Sequence, residues 1–239
     1  MMRKILITND DGIEADGLKR LAEAAKAFGE VWVVAPAIQR SAASHSITLH
    51  EPIDLHPHDF PVEGVHAFSC SGTPGDCVRV GSLNVVPGKP DVVLSGINYG
   101  YNAASDIQYS ATAGAALEAS FQGIRAIALS EGTGNCHEVT DHYLEEVLER
   151  LIDRNPGEDR IWNVNFPNCP LSKCKGILEG RSVSRGMFYR DHYLEIEKLP
   201  DGGVRLMVEG VYNEEAEHGT DFRAIVDGYV AVGIVRNIS

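Results

Sequence analysis

The sequence predicts a doubly wound α/β fold, a mostly parallel sheet covered by helices on both faces, with a β-rich extension at its C-terminal side. Three observations predict it. Apolar runs of strand length alternate with helix-period segments through residues 1–166, the pattern of successive βαβ units. Those runs are apolar at consecutive positions, as strands buried on both faces must be. After Pro167 the texture changes to shorter, alternating, charged segments.

KILITN at 4–9 is the first short apolar run. GLKRLAEAAKAF follows a turn at Asp10, Asp11 and Gly12, and its Leu18, Leu21, Ala22, Ala25 and Phe28 share one helical face. VWVVAP at 31–36 is a β-branched strand stopped by proline. TPGDCVRVGSLNVV predicts a helix opening at Thr73-Pro74, with a hydroxyl at the cap and proline in the first turn. DVVLSG at 91–96 is a buried strand, SATAGAALEASFQG a helix and RAIALSEG another strand. Residues 137–153 give an amphipathic helix and IWNVNF at 161–166 a further strand. Asp201-Gly202-Gly203 is a hairpin turn signal within the extension. With no repeat, low-complexity tract or Gly/Ser linker, the 239 residues read as one domain, a core over 1–166 and an extension over 167–239 that packs on it.

Composition narrows the function. Hydrophobic residues at 44% and charged residues at 23% are ordinary for a soluble globular chain, and no apolar stretch reaches the roughly 18 residues a membrane span needs. The start MMRKILITNDDG reads as a strand and not as a signal peptide, so a cytoplasmic protein is expected. The five cysteines, scattered and without a Cys-x-x-Cys pair, argue against a disulfide framework or a zinc site and are expected to be buried thiols. A net charge of −13, from 34 acidic and 21 basic residues with no basic block, disfavours nucleic-acid polymers. Such a field also repels a small anion unless a cation or aligned amides reverse its sign locally.

Ligands of open parallel sheets bind beyond the carboxyl ends of the strands. The loops there carry Asn9-Asp10-Asp11-Gly12, then Gln39-Arg40-Ser41 and Ser44-His45-Ser46, then Ser95 to Asn102, then Tyr109-Ser110-Ala111-Thr112. Each has an ordinary structural reading: a tight turn, a packing histidine, a helix cap. Together they offer carboxylates, hydroxyls and amides without cysteine, a donor set suited to Mg²⁺, Mn²⁺ or Ca²⁺. Adjacent carboxylates repel unless a cation or proton lies between them. Imidazole is the side chain best suited to proton transfer near neutral pH, which makes His45 a candidate proton donor.

These residues carry a resemblance. ILITNDDG, VVAP…RSAASHSIT, SGTPGDCV, DVVLSGINYGYN and YSATAGAALE, five motifs in order over most of residues 3–130, with a fainter echo at GTDFRAIVDGYVAV, resemble the SurE survival proteins, metal-dependent 5′(3′)-nucleotidases. The resemblance implies a Rossmann-like core and one divalent metal, Mg²⁺ or Mn²⁺, at Asp10, Asp11, Ser41 and Asn98. It implies a phosphate pocket lined by Gly12, Asn102, Ser110, Ala111 and Thr112, with His45 near it. It implies hydrolysis of nucleoside monophosphates, possible action on short polyphosphate, and assembly as a homodimer or homotetramer, for which residues 167–239 are the expected region. Three departures stand out. Ala111 and Ser44 occupy positions where the family usually has glycine. Val232-Gly233-Ile234 lies close to Ser239, where family members usually continue through Thr-Pro into a segment exchanged between subunits, so dimer and tetramer both stay open.

The expected chemistry is attack of a metal-bound water on the phosphoryl group, with Asp10 and Asp11 as ligands and His45 as a donor to the leaving alcohol. An aspartate nucleophile is the competing route. A haloacid-dehalogenase-like enzyme needs two aspartates separated by one residue, and here they are adjacent. A nucleotide-binding or sensing module without catalysis is the alternative from another class.

Overall fold

The structure is a computed structural model that describes residues 2–213 and 215–236. In chain order its strands and helices are β1 (Lys4–Thr8), α1 (Asp16–Ala25), β2 (Glu30–Pro36), β3 (Leu55–Pro57), β4 (His66–Cys70), α2 (Pro74–Val80), β5 (Val92–Tyr99), α3 (Ala111–Phe121), β6 (Arg125–Glu131), α4 (Glu138–Leu151), β7 (Arg160–Phe166), β8 (Ile177–Arg181), β9 (Tyr189–Lys198), β10 (Val204–Tyr212), α5 (Asp221–Val226) and β11 (Val230–Arg236).

Nine strands form one sheet in the order β3-β4-β2-β1-β5-β6-β7-β11-β8. From β4 to β7 all neighbours are parallel, while β3 on β4 and β11 on β7 are antiparallel. Successive side chains of a strand face opposite ways, and this divides the core in two. Ile5, Ile7, Val92, Leu94, Ile127 and Leu129 face the layer of α1 and α4, where Leu18, Leu21, Leu144 and Leu148 meet them. Leu6, Val93, Ala126 and Ala128 face the layer of α2 and α3. The small side chains on that second face let the alanine-rich α3 sit close to the sheet, which explains a helix buried almost all round.

The chain runs from β1 outward through β2 to β4, then crosses back to place β5 on the other side of β1. The carboxyl ends of β1 and β5 therefore flank the point where strand order reverses, the crevice in which open α/β sheets bind ligands.

The expected extension is only partly separate. β8 and β11 complete the main sheet, β11 lying between β7 and β8. Val230, Ala231 and Val232 are apolar and buried like the core strands, so they need cover on both faces. Only β9 and β10 stand apart, as a two-stranded antiparallel sheet turning through Asp201-Gly202-Gly203. The helix read over TPGDCVRVGSLNVV keeps α geometry only to Val80, and Gly81–Val85 form a wider turn closed by Val86 N–H to Gly81 O at 2.9 Å. Of the five cysteines, all free, Cys70 and Cys77 are buried and Cys136, Cys169 and Cys174 are half-buried, fewer in the interior than expected. Among the described residues no helix is long and apolar enough to cross a membrane.

Candidate functional site

The turn after β1 holds Asp10 and Asp11. The Arg40 amide donates to Asp10 O at 2.7 Å and Asn9 Nδ2 to Gly12 O at 2.9 Å, so the loop after β2 and the turn are locked together. Asp10 is 4% exposed. Burial pushes its carboxyl up to about 6, the neighbouring Asp11 charge adds to the rise, and a hydrogen bond from Thr112 Oγ1 to Oδ1 at 2.5 Å opposes it. Asp11 is also raised by burial, offset by the Tyr99 amide donating to Oδ2 at 2.9 Å and Gln39 Nε2 donating to Oδ1 at 3.2 Å. Among the described residues no basic side chain forms an ion pair with either carboxylate.

Gln39 Nε2 also donates to Ser41 Oγ at 2.9 Å, so one amide nitrogen spans Asp11 and Ser41. The sequence by itself gives Gln39 no role. Its only signal there was its place beside Ser41 in a polar loop after a strand. Asn98 directly precedes Tyr99, whose amide donates to Asp11, just past a register irregularity of β5 against β6 between Ser95 and Asn98, and such a bulge re-aims the side chains beyond it. Gly96 makes it possible: at φ +144° its missing Cβ would lie 2.3 Å from Leu129 O. Asn98 Nδ2 donates to Gly100 O at 2.8 Å, and its amide oxygen, the atom able to bind a cation, accepts no hydrogen bond among the described residues.

The N-terminus of α3 comes up beside Asp10. Ser110 caps the helix, its Oγ accepting from Ala113 N–H at 2.9 Å. The amides of Ala111 and Thr112 have no acceptor among the described residues, as helix geometry dictates for a first turn. Ala111 is an ordinary helical residue, so replacing a glycine there requires no left-handed backbone. Ser44 differs. It adopts φ +53° and is held there by its N–H on Tyr109 O and its Oγ on Gln108 O. Gly114 of α3 lets that loop approach, since a Cβ there would lie 2.5 Å from Ser44 O.

The structure thus links Thr112 directly to Asp10, Ser41 to Asp11 through Gln39, and the end of β5 to Asp11 through the Tyr99 amide. His45 is placed elsewhere: its Nε2 is 3.0 Å from Glu118 Oε2, further along α3, and its ring stacks on Phe121. With Ser44 and Ser110 it lines a smaller cleft of about 180 Å³ that does not include Asp11. Asn102 is buried in an amide network, its Nδ2 donating to Ser130 Oγ at 2.7 Å and its carbonyl accepting from Asn163 and Asn165. The Gly12 carbonyl accepts from both Asn9 and Ala15.

Among the described residues no three His, Cys, Asp or Glu side chains cluster as a metal-binding group. The oxygen donors on these linked loops are the two carboxylates and the Ser41 hydroxyl, with the Asn98 amide at the end of β5. A buried Asp10 beside a half-buried Asp11, with no counter-charge among the described residues, suits a hard divalent cation, which oxygen ligands hold well.

Known proteins resemble this chain over most of its length. A family model described as Survival protein SurE matches residues 5–187. Proteins named 5′-nucleotidase SurE from Clostridium botulinum (strain 657 / Type Ba4) and Erythrobacter litoralis (strain HTCC2594) are 40% and 39% identical over 232 and 238 residues. Those alignments cover 95% and 96% of this chain and 90% and 91% of the two relatives. The crystal structure of the SurE protein from Aquifex aeolicus aligns with a TM-score of 0.83 at 34% identity, over 99% of this chain and 94% of that one.

Proposed function

Because the chain belongs to the SurE survival protein family, we propose that it is a 5′-nucleotidase, a phosphomonoesterase that releases phosphate from nucleoside monophosphates. The observation that carries this reading is the Asp10 and Asp11 pair, the first buried and the second half-buried, un-neutralised among the described residues, with Asp10 bound to Thr112 at the start of α3. Asp10, Asp11, Ser41 and Asn98 would hold one divalent ion, Mg²⁺ or Mn²⁺, which would supply positive charge against the phosphoryl group and a water of lowered pKa.

The chain's own residues do the rest. The Ala111 and Thr112 amides receive phosphate oxygens, as helix N-termini do. Thr112 Oγ1 donates to Asp10 Oδ1 and so fixes how that carboxylate is turned. Gln39 fixes Asp11 relative to Ser41. His45, occupied with Glu118, takes no proton-transfer step in this scheme.

The test is a phosphate-release screen of the purified chain against nucleoside mono-, di- and triphosphates, sugar phosphates and short polyphosphate, with several divalent ions and with EDTA. Nucleoside monophosphates are the expected substrates, with activity lost on chelation and restored by Mg²⁺ or Mn²⁺. Saturable nucleotide binding with metal present and no phosphate released would instead identify a sensing module.

We infer further that the protein acts in the cytoplasm, where its free cysteines stay reduced, and that it self-associates through the β9–β10 hairpin. Tyr193, Leu206, Met207, Val208 and Val211 are all more than half exposed there. An isolated two-stranded sheet is marginal in water. Leu206→Asp lowers the mass seen by sedimentation if the hairpin is the interface, and an unchanged mass removes it.

A further inference from the structure

The crevice at Asp11 opens into a cleft of about 390 Å³ bordered by Asp11, Gln39, Tyr99, Glu131, Asn135 and His137. That volume is within the range of small-molecule sites, roughly 300–1,000 Å³. Three properties make it more than a surface hollow.

The first is a pinned histidine. His137 Nδ1 lies 2.9 Å from Glu131 Oε1 and 3.3 Å from Arg20 Nη1. Glu131 is 4% exposed and accepts from Arg20 at 2.7 Å, and Arg20 Nε donates to Asp141 Oδ1 at 2.9 Å. Residues from α1, the end of β6 and α4 thus orient one ring, and its Nε2 has no partner among the described residues. The second is an oriented aromatic face. Tyr99 is 53% exposed, yet its amide is tied to Asp11 and its hydroxyl accepts from Gly134 N–H at 2.8 Å. The third is charge. Asp11, Asp16 and Glu131 line the cleft, and no Lys or Arg does among the described residues. Further phosphate groups are repelled by such walls, whereas a neutral group with N–H and O–H donors is received.

We propose that this cleft is the nucleoside subsite, with the Tyr99 ring as the surface on which the base stacks and His137 Nε2 as a hydrogen-bonding group to the base or ribose. Glu131 and Arg20 are positioning residues for His137. The inference rests on the nucleotidase reading for the phosphate end of the substrate, but binding of the nucleoside end is measured separately.

The full-length protein is titrated calorimetrically with adenosine, guanosine, cytidine and uridine, none of which carries phosphate. Wild type binds at least one saturably, and Tyr99→Ala and His137→Ala each weaken it about tenfold or more, the scale of a lost base–aromatic contact. Glu131→Gln gives a smaller loss. In steady-state assays the ratio of kcat/KM for the matching nucleotide to that for p-nitrophenyl phosphate falls by the same factor, through KM. Circular dichroism melts check that the variants fold, and Tyr99→Ala, at an exposed side chain, guards against a failure of His137→Ala to do so. Absence of nucleoside binding by wild type, or equal binding by wild type and both variants, overturns the subsite. Nucleoside binding that persists in a protein releasing no phosphate overturns the nucleotidase reading and leaves the subsite standing.

Discussion

The central strands and the β9–β10 hairpin are both regular β-structure, yet they occupy opposite environments. In β1, β5 and β6 nearly every residue is buried, while every residue of β9 and β10 is exposed. The hairpin is rooted by Phe188, 2% exposed and packed against the rings of Tyr101, Tyr212 and Phe222. Beyond that root it is held by ladder hydrogen bonds and by exposed pairs such as Arg205–Glu197 and His192–Glu209. Hydrogen-bonded strands therefore do not supply stability by themselves. Two covering layers do, and the same layers bury Asp10 and make the site a place where charge is costly.

The widest separation of the two regions is expected in catalysis. Asp10→Asn removes the buried charge at nearly constant shape and lowers turnover on the order of 10³-fold or more, the scale of a lost preorganised electrostatic contact. Its melting temperature without metal does not fall, because the carboxylate is uncompensated there. Near-normal metal-dependent phosphate release by this variant would remove Asp10 from the site. In stability the contrast is nearly as large. Phe166→Ala, at a fully buried side chain, costs about 3–5 kcal/mol in urea unfolding, against under about 1 kcal/mol for the exposed Tyr193→Ala at dilution where chains are monomeric. Equal losses would mean that the hairpin is as integral as the core.

A pH series sharpens the same point. Asp10 binds its proton more tightly folded, at about 6, than unfolded, at 3.8, so its contribution is fully present below about 3.8 and is lost as pH rises through about 6. In chelated protein roughly 3 kcal/mol disappears across that window, and Asp10→Asn flattens the slope. A wild-type profile with no such slope would contradict the burial argument. The smallest effect is expected at the hairpin surface, where Glu197→Gln shifts stability by under about 0.5 kcal/mol because exposed ion pairs contribute little. A loss of several kcal/mol there would mean that the pair is desolvated in an assembly.

The strands on either side of the switch point were legible because burial on both faces demands unbroken apolar runs, as in KILIT and VVLSG. Asp10, Asp11 and Asn98 were legible as polar residues that follow such runs. The Glu131, His137 and Arg20 cluster was not, since its members come from α1, β6 and the start of α4 with no common spacing. His45 shows the reverse case. Its loop is polar and its chemistry apt, but the side chain turns to Glu118 on a face of α3 that periodicity in an alanine-rich helix does not reveal.

The amino-acid order alone determined the local elements, the doubly wound class and the oxygen-rich donor set, because periodicity and residue chemistry act over a few positions. Tertiary structure decided which loops converge, that β11 inserts beside β7 while β9 and β10 stay outside, and that Thr112 meets Asp10 across 102 positions of chain. Those outcomes depend on which surfaces bury one another. The altered proton affinity of Asp10 exists only once α3 and the sheet have excluded water from it.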